Sequence, residues 1–240
     1  MPSFTEYIYN RLHRENRNFL AAIVGPTGSG KSYSALRLAE TIDPNFSIER
    51  VVFTPEEFMD LLNSKTLKKG SAIVFDEGGV GMNSRNFMSN TNRALHYTAQ
   101  TFRSMNYLVC FVAPDYSFMD VGLRKLAHVL IETISIDYER ERVRTRPLMI
   151  QNNPQSGKIY LKYPRVRDSN NRILAITKLW FSKPSPELLK EYEREEGGLQ
   201  SNPAIRPVPI PQAQRTRTEA KAPQSMGASG AQGNCTQGFG

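Results

Sequence analysis

The sequence predicts an α/β fold, a doubly wound and mainly parallel sheet with a small added β-element. Three stretches carry that expectation. The apolar run Phe19 to Val24 (FLAAIV) is followed by the glycine-rich GPTGSGKS, Gly25 to Ser32, and then by helical periodicity through Leu36, Leu38, Ala39 and Ile42. A second apolar run, Ile73 to Phe75, ends in two adjacent acids, Asp76 and Glu77. A third, Tyr107 to Pro114 (YLVCFVAP), is apolar almost throughout, as strands buried on both faces of a parallel sheet are. A chain of 240 residues that is 39% hydrophobic can bury one core of substantial size.

In chain order, residues 1–14 read as an N-terminal lead-in helix. Across Tyr7 to Arg17, the basic residues Arg11, Arg14 and Arg17 interleave with Tyr7, Ile8 and Leu12, which suits either a partner contact or a helix covering the sheet. Residues 15–135 form the α/β core. Within it, Val51 to Phe53 read as a strand, Pro55 opens a helix, and a polar loop after Glu77 leads into a helix over residues 88–105. Residues 136–196 add β-strands in RPLMIQ, KIYLKYPRV and RILAITKLWFS, separated by the turns NNPQSG and RDSNN, and a closing helix from Pro186 to Glu196. Trp180, between Leu179 and Phe181, reads as a packing residue in preference to a base-stacking one. Residues 197–240, rich in Pro, Gly, Gln and Ser with Glu219 their only acid, read as a disordered basic tail, a tether to nucleic acid or to a partner.

The chemistry lies in two places. Gly25 to Ser32 satisfy G-x-x-x-x-G-K-[ST] between a strand and a helix, so Gly25, Gly28 and Gly30 free the backbone to aim N–H groups at phosphate oxygens. Gly25, Pro26, Thr27, Gly28, Ser29, Gly30, Lys31, Ser32 and Tyr33 are the candidate nucleotide-binding residues. Lys31 reaches the β- and γ-phosphates and the Ser32 hydroxyl ligates Mg²⁺. Two neighbouring carboxylates repel each other where an apolar strand gives out, which implies a metal ion and a water outside the strand. Asp76 is then the second metal-holding residue. Glu77 points to the other side of the pleat and is the candidate base for a water attacking the γ-phosphate of ATP, which favours hydrolysis over binding alone.

The order of strands, with the extra glutamate, resembles the additional-strand, catalytic-glutamate division of P-loop NTPases. Within it the runs IVFDEGGVGMNSRNF, QTFRSMNYLVCFVAP, FMDVGLRKLAHVLIE and LWFSKPSPELLKEYE resemble the HerA/FtsK group, and in particular its zonular-occludens-toxin (Zot) type, over roughly residues 1–195. The resemblance implies that the strand after the acidic one lies between it and the P-loop strand. It also implies a ring ATPase of phage assembly or mobile elements, a homo-oligomer completed by an arginine finger. Arg103 is the best-matched finger, with Arg85 and Arg124 as alternatives, and Asn83, Ser84 and Arg85 lie a short reach from the γ-phosphate. One departure is VAPDYS, where such motors carry a polar sensor: either Asp115 replaces it or sensing is done elsewhere. Membrane-bound or virion proteins are implied partners, although no membrane anchor of the kind seen in such relatives is visible.

A net charge of +8 and a pI near 9.5 favour a polyanion, DNA above all. The run YERERVRTRP sets Arg140, Arg142, Arg144 and Arg146 in a row on one strand face, either a DNA contact or a sheet edge guarded by charge. No run of 18 apolar residues and no leader are visible, and Cys110 and Cys235 are badly placed to pair, which suits the cytoplasm. His96 and His128 read as structural. A small-molecule kinase is disfavoured, because no arginine-rich lid follows and Glu77 would be superfluous. The readings that remain are a nucleic-acid translocation or packaging motor and a slow ATP-dependent switch.

Overall fold

The computed structural model of the chain describes residues 4–76, 105–119, 121–167 and 170–201. The strand β1 (Phe19–Val24) is buried along its whole length and is parallel to a neighbour on each side, β4 (Leu108–Ala113) and β5 (Val129–Asp137). Beyond β4 come β3 (Ala72–Asp76) and β2 (Val51–Val52), also parallel. β4 therefore lies between the strand that leads into the glycine-rich loop and the strand that ends in Asp76, the order that the resemblance implies.

The sheet continues past β5. A turn at Tyr138 to Glu141 reverses the chain into β6 (Arg142–Asn152), antiparallel to β5 with a register shift between Thr133 and Ser135. β6 is flanked on its other side by β10 (Leu179–Ser182) along its first part and by β7 (Ile159–Lys162) along its last. Among the described residues one eight-stranded sheet thus runs across residues 135 and 136, and only β8 (Arg165–Arg167) and β9 (Ile173–Ala175) stand apart as a two-stranded ribbon.

Strand alternation splits the core into two layers. Phe19, Ala21 and Ile23 face α1 (Phe4–His13), α2 (Lys31–Ile42) and α5 (Pro186–Ser201), which contribute Ile8, Leu36 and Leu188. Leu20, Ala22 and Val24 face α3 (Pro55–Asn63) and α4 (Val121–Leu126) through Phe58 and Leu123. α3 starts at Pro55 as its sequence predicts, capped reciprocally by Thr54 and Glu57. The buried Asp43, beyond α2, accepts from Ala72 N–H at 3.0 Å and pairs with Arg50, so it ties α2 to the start of β3. Among the described residues no helix is long and apolar enough to cross a membrane.

Four expectations need correction. β6 is an inner strand, so it is not a charge-guarded edge. Arg140 lies in the turn, whereas Arg142, Arg144 and Arg146 share one face of β6 as expected, with Arg146 paired to Glu132 and Arg142 to Asp137. Trp180 is 43% exposed on the face opposite the buried Phe181, and its ring lies 4.1 Å beneath the Arg142 guanidinium, because alternation sends neighbours to opposite faces. The lead-in helix ends at His13, leaving Arg14 and Arg17 outside it, while Arg11 turns inward to donate to Asn18 O at 2.8 Å. His128 is structural: its ring stacks on Phe19, and its Nδ1 accepts from Leu20 N–H at 3.0 Å. The closing helix continues to Ser201, past the expected Glu196.

Candidate functional site

β1 ends at Val24 and the chain turns at once into the loop Gly25 to Gly30 before α2 begins at Lys31. Gly25 N–H donates to Pro114 O at the end of β4, which anchors the loop to the sheet. The β5–β6 hairpin forms one wall. Thr133 donates to Val24 O at 3.2 Å and its hydroxyl lies 2.6 Å from Ser29 Oγ, while Val143 presses on Gly30. Gly30 stands immediately before α2 with φ 84°, a left-handed conformation that costs glycine little. A side chain on Gly25 would collide with the Thr133 hydroxyl, so the hairpin fits only a bare loop.

Helix α5 forms the opposite wall. Tyr192 Oη donates to Asp76 Oδ2 at 2.9 Å, and both residues are almost fully buried. Ser32 sits beside the same phenol and draws its pKa down against the effect of burial, so Ser32 and Asp76, predicted to share a metal, both neighbour Tyr192. Tyr33 donates to Glu193 Oε1 at 2.7 Å, a second tie between α5 and the start of α2. The phenol of Tyr192 is pushed up by burial and then by Asp76, and that of Tyr33 to about 12 by burial and then by Glu193. Burial also raises Glu196, helped by Asp76 and Glu193.

Between the walls lies a cavity of about 480 Å³, lined by Gly28, Gly30, Lys31, Ser32 and Tyr33 from the loop and by Tyr138, Arg142 and Tyr192 from the walls. Lys31 Nζ donates to Pro26 O at 2.8 Å, folded back over its own loop, and burial lowers its pKa against the opposing pull of Asp76. Thr27 is exposed at the tip of the loop. Hydroxyl and carboxylate oxygens within one phenol's reach form a hard donor set, which suits Mg²⁺ and its retained waters.

The structure thus brings Lys31, Ser32 and Asp76 together. Glu77, Arg85, Arg103, His96, Asn83, Ser84, the expected helix over 88–105 and the tail beyond 201 lie outside the described residues. Arg124 lies 5.6 Å from the Tyr116 ring centre, and Asp115 spends its carboxylate on Ser117 N–H at 2.7 Å, which lowers its pKa. Sequence reasoning missed Thr133, Val143, Tyr192 and Glu193. The Leu188–Tyr192 spacing marks Tyr192 as core-facing, but nothing local tells of an acid 116 residues earlier in the chain.

The site sits at the carboxyl ends of β1 and β3 in an α/β fold with a mainly parallel central sheet. Solved structures with a similar fold include the N-terminal domain of zonular occludens toxin from Neisseria meningitidis, 12% identical over 64% of this chain and 96% of that one, with a TM-score of 0.37. The genome packaging NTPase B204 from Sulfolobus turreted icosahedral virus 2, in complex with AMP, is 10% identical over 62% of this chain and 98% of that one, with a TM-score of 0.34. The KaiC-like protein PH0186 from Pyrococcus horikoshii OT3 is 10% identical over 67% of this chain and 90% of that one, with a TM-score of 0.36. No protein-family model and no curated protein sequence matches the chain.

Proposed function

We propose that the chain is a Mg²⁺-dependent ATPase whose nucleotide lies in the cavity between the β5–β6 hairpin and α5. The observation that carries this reading is the convergence of Lys31, Ser32 and Asp76 at the carboxyl end of a parallel sheet. The loop N–H groups and the start of α2 face the phosphates. Lys31 leaves Pro26 O to take the β- and γ-phosphates, because a phosphate oxygen is a stronger acceptor for an ammonium than a carbonyl is. Ser32 and Asp76 hold Mg²⁺, which neutralises charge on the phosphates when bound. Glu77, next along the chain, orients the water and takes its proton.

The finer part of the reading is a cytoplasmic homo-oligomeric motor that moves DNA, with Arg103 or Arg85 completing a neighbour's site and membrane-bound or virion proteins as further partners. Support comes from the net charge of +8 and from a groove of about 540 Å³ by the ends of β6 and β7, where Lys162, Arg165, Arg167, Tyr7 and Tyr163 line a surface suited to phosphates and bases. The switch is the alternative. ATP turnover measured with and without single- and double-stranded DNA, alongside solution mass, separates the two. DNA-stimulated turnover by an oligomer is expected. A monomer whose rate ignores DNA contradicts the motor and leaves the switch.

A further inference from the structure

We propose that Tyr192 is a latch on the metal position: its phenol holds the Asp76 carboxylate and must give it up when Mg²⁺ binds with nucleotide. The inference rests on the ATPase reading and adds a gate to it. Tyr192 Oη is 2.9 Å from Asp76 Oδ2 with Ser32 beside it, so the phenol occupies a carboxylate oxygen that would hold the ion. With Tyr192 only 2% exposed and Asp76 1% exposed, no water layer separates them. An ion that demands its own octahedron of oxygens at short range cannot enter while the phenol stays.

The way α5 is mounted shows how it yields. At its start Ser185 N–H donates to both Glu40 carboxylate oxygens, at 3.1 and 3.2 Å, and Leu188 is buried in the core, so this end is pinned to α2. Beyond Tyr192 the ties are polar: Glu193 accepts from Tyr33, and Glu196 lines the cavity. Glu196 faces the space where phosphates would sit, so a bound nucleotide repels the same part of the helix that Mg²⁺ displaces. Loading the site therefore swings the later part of α5 away.

The test uses the full chain with Tyr192→Phe, which keeps the ring and its packing on Phe53, 6.2 Å away between centroids. Affinity for a non-hydrolysable ATP analogue is measured with Mg²⁺ and with EDTA. Removing a hydrogen bond to a charged acceptor that only the unloaded state makes should tighten Mg²⁺-dependent binding about 10-fold and leave binding in EDTA within about twofold. The thermal midpoint should fall in the unloaded variant and return towards wild type with Mg²⁺ and analogue. Hydrogen exchange of wild-type residues 193–198 should rise on loading. Weaker or unchanged Mg²⁺-dependent binding, an equal loss of stability in both states, or unchanged protection of α5 overturns the latch. A wild-type chain that binds no nucleotide in either condition overturns the ATPase reading with it.

Discussion

A Cβ placed on Gly30 would lie 2.5 Å from Val143 Cγ2, and the residue's φ of 84° disfavours any side chain. Gly30→Ala should therefore lose on the order of 1–3 kcal/mol, the cost of a strained non-glycine backbone together with the clash. Adding Val143→Ala should restore the steric part alone, as read by urea unfolding of the single and double variants. Full recovery would show that the backbone conformation costs nothing. The glycines, Lys31, Ser32 and Asp76 were legible in sequence because their spacing is itself the chemistry. Tyr192, Thr133 and Val143 were not, since their roles arise only when distant strands and a helix fold over the loop. Glu77, outside the described residues, stands as a reading of the sequence. Glu77→Gln should bind ATP but turn over on the order of 10²–10⁴-fold more slowly, as lost general-base catalysis does. A smaller fall in single-turnover hydrolysis would remove the base from Glu77.

The parallel core was readable as elements because each strand is an unbroken apolar run, whereas the antiparallel extension was not. In YERERVRTRP the alternation of charge hides the turn at Tyr138 to Glu141, and β10 alone takes a tryptophan outward. The inner half of the sheet is braced where α1 meets β5. Arg11 Nη2 lies 2.7 Å from His128 Nε2, and burial, with Arg11 beside it, pushes His128 down to about 3. A histidine whose folded pKa is depressed contributes its stability fully above its unfolded value of about 6.5 and loses it as pH falls towards 3. Stability should thus decline from pH 7 to 4.5, with this one group supplying up to about 1.4 kcal/mol per pH unit. His128→Gln should flatten the dependence of the urea midpoint over that window, where most carboxylates stay ionised. Parallel profiles for the two proteins would contradict a buried neutral imidazole.

Two ends of β6 serve two proposed tasks in the whole molecule, nucleotide at the Val143 end and DNA by the groove at the Met149 to Asn152 end. On that proposal, one continuous strand would link hydrolysis to the DNA surface. Arg165→Glu combined with Arg167→Glu should weaken DNA binding and lower the slope of log affinity against log salt, by about 0.7–0.9 for each phosphate left without its arginine, with DNA-free ATP turnover unchanged. An unaltered salt slope would move the DNA surface elsewhere. All of this depends on nucleotide entering the cavity at Lys31, and the most direct measurement is binding of labelled ATP to wild type and to Lys31→Ala, with folding of both confirmed by their thermal midpoints. Wild type should bind in the presence of Mg²⁺, and the variant, without the ammonium that faces the β- and γ-phosphates, should lose that binding. Equal affinity and equal turnover in a folded Lys31→Ala protein would contradict the nucleotide site.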